Sequence, residues 1–526
     1  MKPLRHLSRQ DNSNSSCRAG RAGGSRLPYV SVGLLGLGLA TLVMGSEAAH
    51  YPDQPDYPDY PADRPKPEPK PEPKPEPKPE PKPEPAPAPK PEPAPAPEAA
   101  APSGPPPSYV EAVDQIGRTS FNAGLTGIAL FETCATGRNA LGGERNQAFQ
   151  RDCDLIIVGS VDDVAGSAAA LGQLTSDQIA AQNSAAGRVA GLGVAVVQGR
   201  LERLRVADRG LGVDWERVAA SRTPGGGGAA SADLGFGRFG AFFSVDYATG
   251  DEDSSRFQPG YDFDRWSFLA GLDYRFTPEL VAGLAVRYED SEYDFDHHRG
   301  RMTGDAWGVL GYASYNLPNG VFVDGTLGYA STDYSLRRQI NYNIGGSIAS
   351  QVARSDPSAD VWNVNIGAGY NWQQGPWTIT PALRVNYLSN DVDGYQERMS
   401  NPTGTGGSMA MNIASNTYDS LTSDLSVQVA RAISHRAGVF VPHLRLGWIH
   451  EFDNDQQQVG ARFVNDINQQ PLVVLTNAPD RDYMELGVGI SAQFPQGRSA
   501  FLSYGTLLGY RDVTYHGISA GFRLEF

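Results

Sequence analysis

Cysteine is nearly absent from this chain. Three occur in 526 residues, too few for a disulfide scaffold or a multi-cysteine zinc module. An excess of basic residues is missing too: 44 Lys and Arg stand against 59 Asp and Glu, a formal net charge of -15. A nucleic-acid binder needs a basic face to neutralise phosphates, so that class of partner is excluded. Beyond residue 45 there is no apolar run long enough to form a membrane helix. What is plentiful is glycine (60) and proline (39), so part of the chain is not an ordinary globular core.

Residues 1–48 have the pattern of an export signal. Lys2, Arg5, Arg9, Arg18, Arg21 and Arg26 form a basic head, and 27–45 is an apolar run with Leu34, Leu35, Leu37, Leu39 and Leu42. Ser46 and Ala48 place small residues where a signal peptidase needs them. A retained membrane anchor is the alternative, since the run is about long enough to span. Cleavage would remove Cys17 and leave Cys134 and Cys153. In an exported chain those two are expected to pair, a bridge worth about 3 kcal/mol in the chain-entropy view. Two buried thiols are the alternative.

Residues 49–107 are of low complexity. Lys-Pro-Glu-Pro repeats place Lys66, Lys70, Lys74, Lys78 and Lys82 in register. Proline at every second position forbids helix and sheet ladders and favours an extended polyproline II arm, roughly 180 Å at full stretch. The arm reads as a passive spacer or as a contact to cell-wall polymer. Residues 108–229 read as helical. Thr175 and Gln178 fit a capping box before an Ala- and Gly-rich stretch that ends at Arg205. A thin helix of that kind suits a narrow enclosure.

From residue 230 to 526 the apolar period changes to two. Ile518, Ala520, Phe522, Leu524 and Phe526 alternate with Ser519, Gly521, Arg523 and Glu525, and similar runs recur. The connections are asymmetric. Tight turns fall at 277–279, 317–320, 373–376, 434–437 and 495–498, with polar stretches at 249–260, 290–303, 335–360, 390–420 and 453–481 between them. Five short turns and six connections at the other end give twelve antiparallel strands. Short turns on one side, long loops on the other and apolar-out, polar-in strands define an all-β transmembrane barrel. A soluble double sheet is the alternative, and it leaves the lopsided loops unexplained.

Several blocks carry a resemblance. They are Phe322 to Tyr329 with Tyr334 and Arg337, Trp377 to Tyr387 with Asp393, Gly394 and Tyr395, Pro442 with Trp448, His450 and Phe452, and the final two strands to Phe526. In this order they resemble the autotransporter β-domain family of type V secretion. The resemblance implies insertion in the outer membrane of a Gram-negative bacterium and translocation or display of the N-terminal region, with a helix in the pore. It implies outer-membrane lipid, lipopolysaccharide and the outer-membrane assembly machinery as partners. Phe522, Leu524 and Phe526 resemble the terminal signal that this machinery reads. The passenger departs from the family pattern: it is short and rich in Pro, Lys and Glu, with no β-helical repeats. An alternative keeps the arm in the periplasm, against peptidoglycan; a surface ligand is the counterpart if the arm is outside.

No enzyme chemistry and no cofactor or metal are expected. Gly517, Ser519 and Gly521 match a serine-hydrolase elbow, but that chemistry needs a strand-turn-helix bend and the pattern sits in a straight strand. His450-Glu451 has no second helical His. His297 and His298, beside Asp294 and Asp296, read as a solvated acidic loop ahead of a metal site. Asp246, Asp273, Arg275, Arg287, Arg523 and Glu525 fall on the polar face of their strands and are expected to face the lumen, the arginines beside the acids.

Overall fold

The computed structural model describes residues 104–175, 178–179 and 238–526. The leader, the proline-rich arm, nearly all of the second helical signal and the glycine run at 225–228 lie outside the described residues.

The period-two segments form β1 (Phe239–Glu252), β2 (Tyr261–Arg275), β3 (Leu280–Phe295), β4 (Gly300–Asn316), β5 (Val321–Ile344), β6 (Ser358–Tyr370), β7 (Trp377–Val392), β8 (Asn416–Arg431), β9 (Gly438–Glu451), β10 (Asp482–Phe494), β11 (Arg498–Leu508) and β12 (Val513–Glu525). Each pairs antiparallel with its sequence neighbours. β1 also pairs with β12, from Gly240↔Glu525 to Glu252↔Val513, which closes a barrel of twelve strands. Closure satisfies every backbone ladder, the condition for crossing hydrocarbon with strands. The faces follow the sequence period. On β2, Trp266, Phe268 and Leu272 are exposed while Arg265, Ser267 and Asp273 are buried.

The five short connections sit at one end, where the first and last strands also meet: the Phe526 amide donates to Phe239 O at 3.0 Å. In the turn between β10 and β11, Gln496 and Gly497 both take positive φ, 67° and 68°. Left-handed residues in succession match the twist of a tight hairpin.

The opposite end differs from the sequence expectation. Residues 290–303 and 335–360 read as polar loops, yet β3 and β4 leave only a turn at 296–299, and β5 runs on to Ile344. Gly345 and Gly346 (φ 53° and 90°) then turn the chain into a returning strand, Ser347–Ser355. The reason is that this hairpin rises above the barrel wall, so its outward face is polar. Leu336, Ile340, Tyr342 and Ile344 face inward and are buried. The connections after β7 and β9 build a second, four-stranded sheet from Tyr395–Gln396, Met411–Ile413, Gln458–Phe463 and Leu472–Leu475.

Four α-helices precede the barrel: α1 (Pro107–Thr119), α2 (Phe121–Ala135), α3 (Glu144–Gly159) and α4 (Val164–Leu174). Pro107 opens α1, where its missing N–H costs nothing. Ser120 caps α2 by accepting from the Ala123 amide at 3.2 Å, and Asp163 caps α4 through the Gly166 amide at 2.8 Å. A disulfide between Cys134 and Cys153 joins α2 to α3, with Cα atoms 6.2 Å apart. Thr175 bonds back to Leu171 O at 2.9 Å, and Gln178 Nε2 donates to Arg299 O at 3.1 Å. None of the described helices is long and apolar enough to cross a membrane.

Candidate functional site

The helices sit on the long-loop end of the barrel and share one core with it. Leu130, Phe149, Ile156, Leu171 and the disulfide meet Ile340 and Tyr342 of the raised hairpin and Met409, Met411 and Phe463 of the loops. Polar side chains fasten this cap. Buried Arg338 forms two bonds to Glu397, 2.8 and 2.6 Å, and also donates to Gln173 O and Leu174 O at the end of α4, both at 3.1 Å. A cation there complements the helix terminus. Removing one partner of such a buried pair costs about 3–5 kcal/mol. Asn122 acts as a substitute strand: its amide donates to Leu475 O at 2.8 Å and accepts from the Leu475 amide at 2.9 Å. It thereby covers the edge of the small sheet. Asp152 Oδ2 accepts from the Ser408 hydroxyl at 2.6 Å. Burial pushes the Tyr342 and Tyr395 phenols well above their usual range.

The inner face of the strands is polar and ion-paired. Arg523 on β12 reaches across β1 to Asp273 on β2, 2.7 Å away, and also pairs with Glu525. The strand it crosses offers Gly240 at that point, where a Cβ would lie 2.5 Å from Arg523 Nη2 and 2.6 Å from Asp273 Oδ1. Arg287 pairs with Glu289 and donates to Ser267 Oγ at 2.9 Å. Asp246 is buried beside Ser244. Arg275 lies at the short-turn end, its amide bonded to Arg238 O at 2.9 Å. Four further groups escaped the sequence reading: Arg445 joins Asp424 to Glu485, the latter at 2.7 Å, and Arg384 stands 4.0 Å from Asp424. Near the loop end the wall encloses a cavity of about 690 Å³ lined by Asn386, Asp424, Tyr483, Glu485 and Tyr515 among others.

A repeating device rings the outer face. In each of the six hairpins formed at the loop end, an aromatic on the first strand bonds a polar side chain two residues off its direct partner. The pairs are Tyr247–Asp264, Tyr288–Asp305 (2.7 Å), Tyr329–Asp360 (2.8 Å), Tyr387–Asp419 (3.0 Å), Trp448–Asp482 (3.2 Å) and Tyr504–His516 (2.7 Å). Trp266, Trp307 and Trp362 stand directly opposite the first three tyrosines. An apolar ring with a polar tip belongs at a membrane–water boundary. The spacing was present in the sequence, but only the strand register reveals the repeat.

Phe522, Leu524 and Phe526 are exposed on the outer face of the closing strand. Ser519 lies within β12, paired on both sides, to Asp246 and to Ser503. His450 contacts Asp482 at 2.8 Å, and His297 and His298 occupy the turn between β3 and β4.

The autotransporter β-domain family profile matches residues 241–505. The chain belongs to this family. An autotransporter β-domain that closes twelve strands is an outer-membrane barrel of a Gram-negative bacterium, and such barrels work with the assembly machinery and lipid. Among proteins of known sequence, the uncharacterised protein YaiT is similar. The Escherichia coli K12 form is 24% identical over 276 residues, 51% of this chain and 25% of that protein. The Salmonella typhimurium form is 21% identical over 274 residues, with the same coverage. This chain thus spans about a quarter of the length of those relatives. Among solved structures, the translocator domain of autotransporter NalP from Neisseria meningitidis is similar at 14% identity and a TM-score of 0.44, over 64% of this chain and 97% of that one. The β domain of the Bordetella autotransporter BrkA follows at 19% identity and 0.39, over 55% and 99%.

Proposed function

We propose that this autotransporter barrel carries its N-terminal region to the cell surface and keeps α1–α4 there as a cap on its own mouth. The observation that supports this is the direction of the chain. Ile179 is buried in the cap core at the long-loop end, whereas β1 begins at Phe239 at the short-turn end. The residues between them connect the two ends of the barrel. That segment carries Arg200, Glu202, Arg203 and Arg205, which are costly in hydrocarbon. A route through the polar lumen avoids the cost. Arg384, Asp424 and Arg445, with the ion pairs at β2, β3 and β12, then line the passage. Phe522, Leu524 and Phe526 serve as the assembly signal. The proline-rich arm precedes α1 in sequence, so on this reading it is exported ahead of the cap and acts as a surface stalk rather than a peptidoglycan contact. We assign no catalytic chemistry to the chain.

The route is tested by cross-linking. Asn365→Cys places a thiol on the inner wall, and single cysteines are scanned across 185–200. A lumenal segment gives cross-links to the wall thiol at a subset of positions in assembled protein. Absence of any cross-link across the scan, in barrels shown to be folded, contradicts the route.

A further inference from the structure

One row of the outer sheet carries seven charged residues in succession. Asp251 faces Asp262, which faces Asp294, which faces Arg301. Arg301 faces Arg337, Arg337 faces Arg354, and Arg354 faces Arg398. Four arginines therefore stand side by side on four adjacent strands. Arg301 is compensated, since it pairs with Glu292 and with Asp294 at 2.6 Å. Arg337, Arg354 and Arg398 are exposed and form no ion pair among the described residues. Like charges directly opposite each other weaken a sheet, so Arg337, Arg354 and Arg398 are held against a cost that no ion pair of their own offsets among the described residues.

The side and height of the row narrow its use. The neighbours Leu336 and Arg338 are buried on the inner face, Leu336 beside Met302 and Tyr334 and Arg338 against the end of α4, so Arg337 points outward. Tyr329 of the aromatic ring lies eight residues earlier on β5. At about 3.3 Å per residue on a strand tilted by about 40°, the row stands roughly 20 Å above that ring. This is beyond the acyl chains and within the sugar layer of an outer leaflet. Guanidinium groups bind phosphate through paired, planar hydrogen bonds. We propose that Arg337, Arg354 and Arg398 form a docking strip for the phosphorylated core sugars of lipopolysaccharide, held laterally against the raised hairpin. The acidic half of the row, Asp251, Asp262 and Asp294, repels the same groups and limits contact to one side of the barrel. The strip rests on the outward orientation of the cap end.

The test uses the full-length protein, purified in detergent, with folding checked by its migration in unheated gels. Binding of lipopolysaccharide is measured for the parent and for the triple variant R337Q/R354Q/R398Q. It is then repeated with the same lipopolysaccharide after its phosphates are removed. The expected result is a loss of about tenfold or more in the variant, with the dephosphorylated ligand binding parent and variant equally weakly. If the triple variant does not fold, R354Q alone takes its place, with a smaller loss expected. Unchanged binding by a folded variant overturns the proposal, as does undiminished binding of the dephosphorylated ligand. Equal affinity for heparin also overturns it, in favour of a general polyanion surface. Because binding is read on purified protein, these outcomes are separate from whether the cap is at the surface in cells.

Discussion

Arg523 and Asp273 meet only because the strand between them presents a glycine. The ion pair bridges the seam where the last strand returns to the first two, and Gly240 leaves the gap through which it passes. Gly240→Val is expected to push the pair apart and cost about 3 kcal/mol, since it leaves buried charges uncompensated. The check is the temperature at which the folded band is lost in detergent: a clear drop is expected, and an unchanged temperature contradicts the seam role. Residues of this kind were half legible. Alternation placed Asp246, Asp273, Arg523 and Glu525 on the polar face of their strands. It did not say which acid meets which base, because partners sit on different strands and only the register sets their distance. Asp424, Arg445 and Glu485 went unread for that reason, as did the Arg338–Glu397 pair, whose members are far apart in sequence.

At the scale of elements, the turns were the clearest signal. All five tight turns stand in the structure at their expected places; Gly, Pro or Asn marks four of them, and the fifth, Ser434 to Ala437, is followed by Gly438. The strand ends at the loop side were not legible, because residues above the membrane are polar on their outer face and resemble loops. β5 shows this best: its last third is a wall for the cap. The cap in turn depends on its own cross-link. Reduction of Cys134–Cys153 removes about 3 kcal/mol from the helical unit in the chain-entropy view, while the barrel keeps its strand ladders. Thermolysin is expected to cut α2 and α3 faster after reduction, with the barrel band unaltered. Equal cutting rates before and after, or loss of the barrel band, contradict a bridge that acts on the cap alone.

The described residues form a closed cylinder with a helical lid built partly from its own loops. The lid precedes the wall in sequence, and in the proposed function the link between them passes through the cylinder. Fold class was legible because twelve half-apolar strands with lopsided connections admit one spanning solution. The lid was not, since its core is assembled from segments separated by more than two hundred residues, such as Phe149 and Phe463, whose rings lie 5.1 Å apart. Its position is the central claim and is open to direct measurement. Leu141 is 87% exposed on the turn between α2 and α3. Leu141→Cys, treated in intact cells with a maleimide too large to pass porins, is predicted to label as fully as it does in opened cells. Labelling only after the outer membrane is permeabilised would place the lid inside and contradict the account.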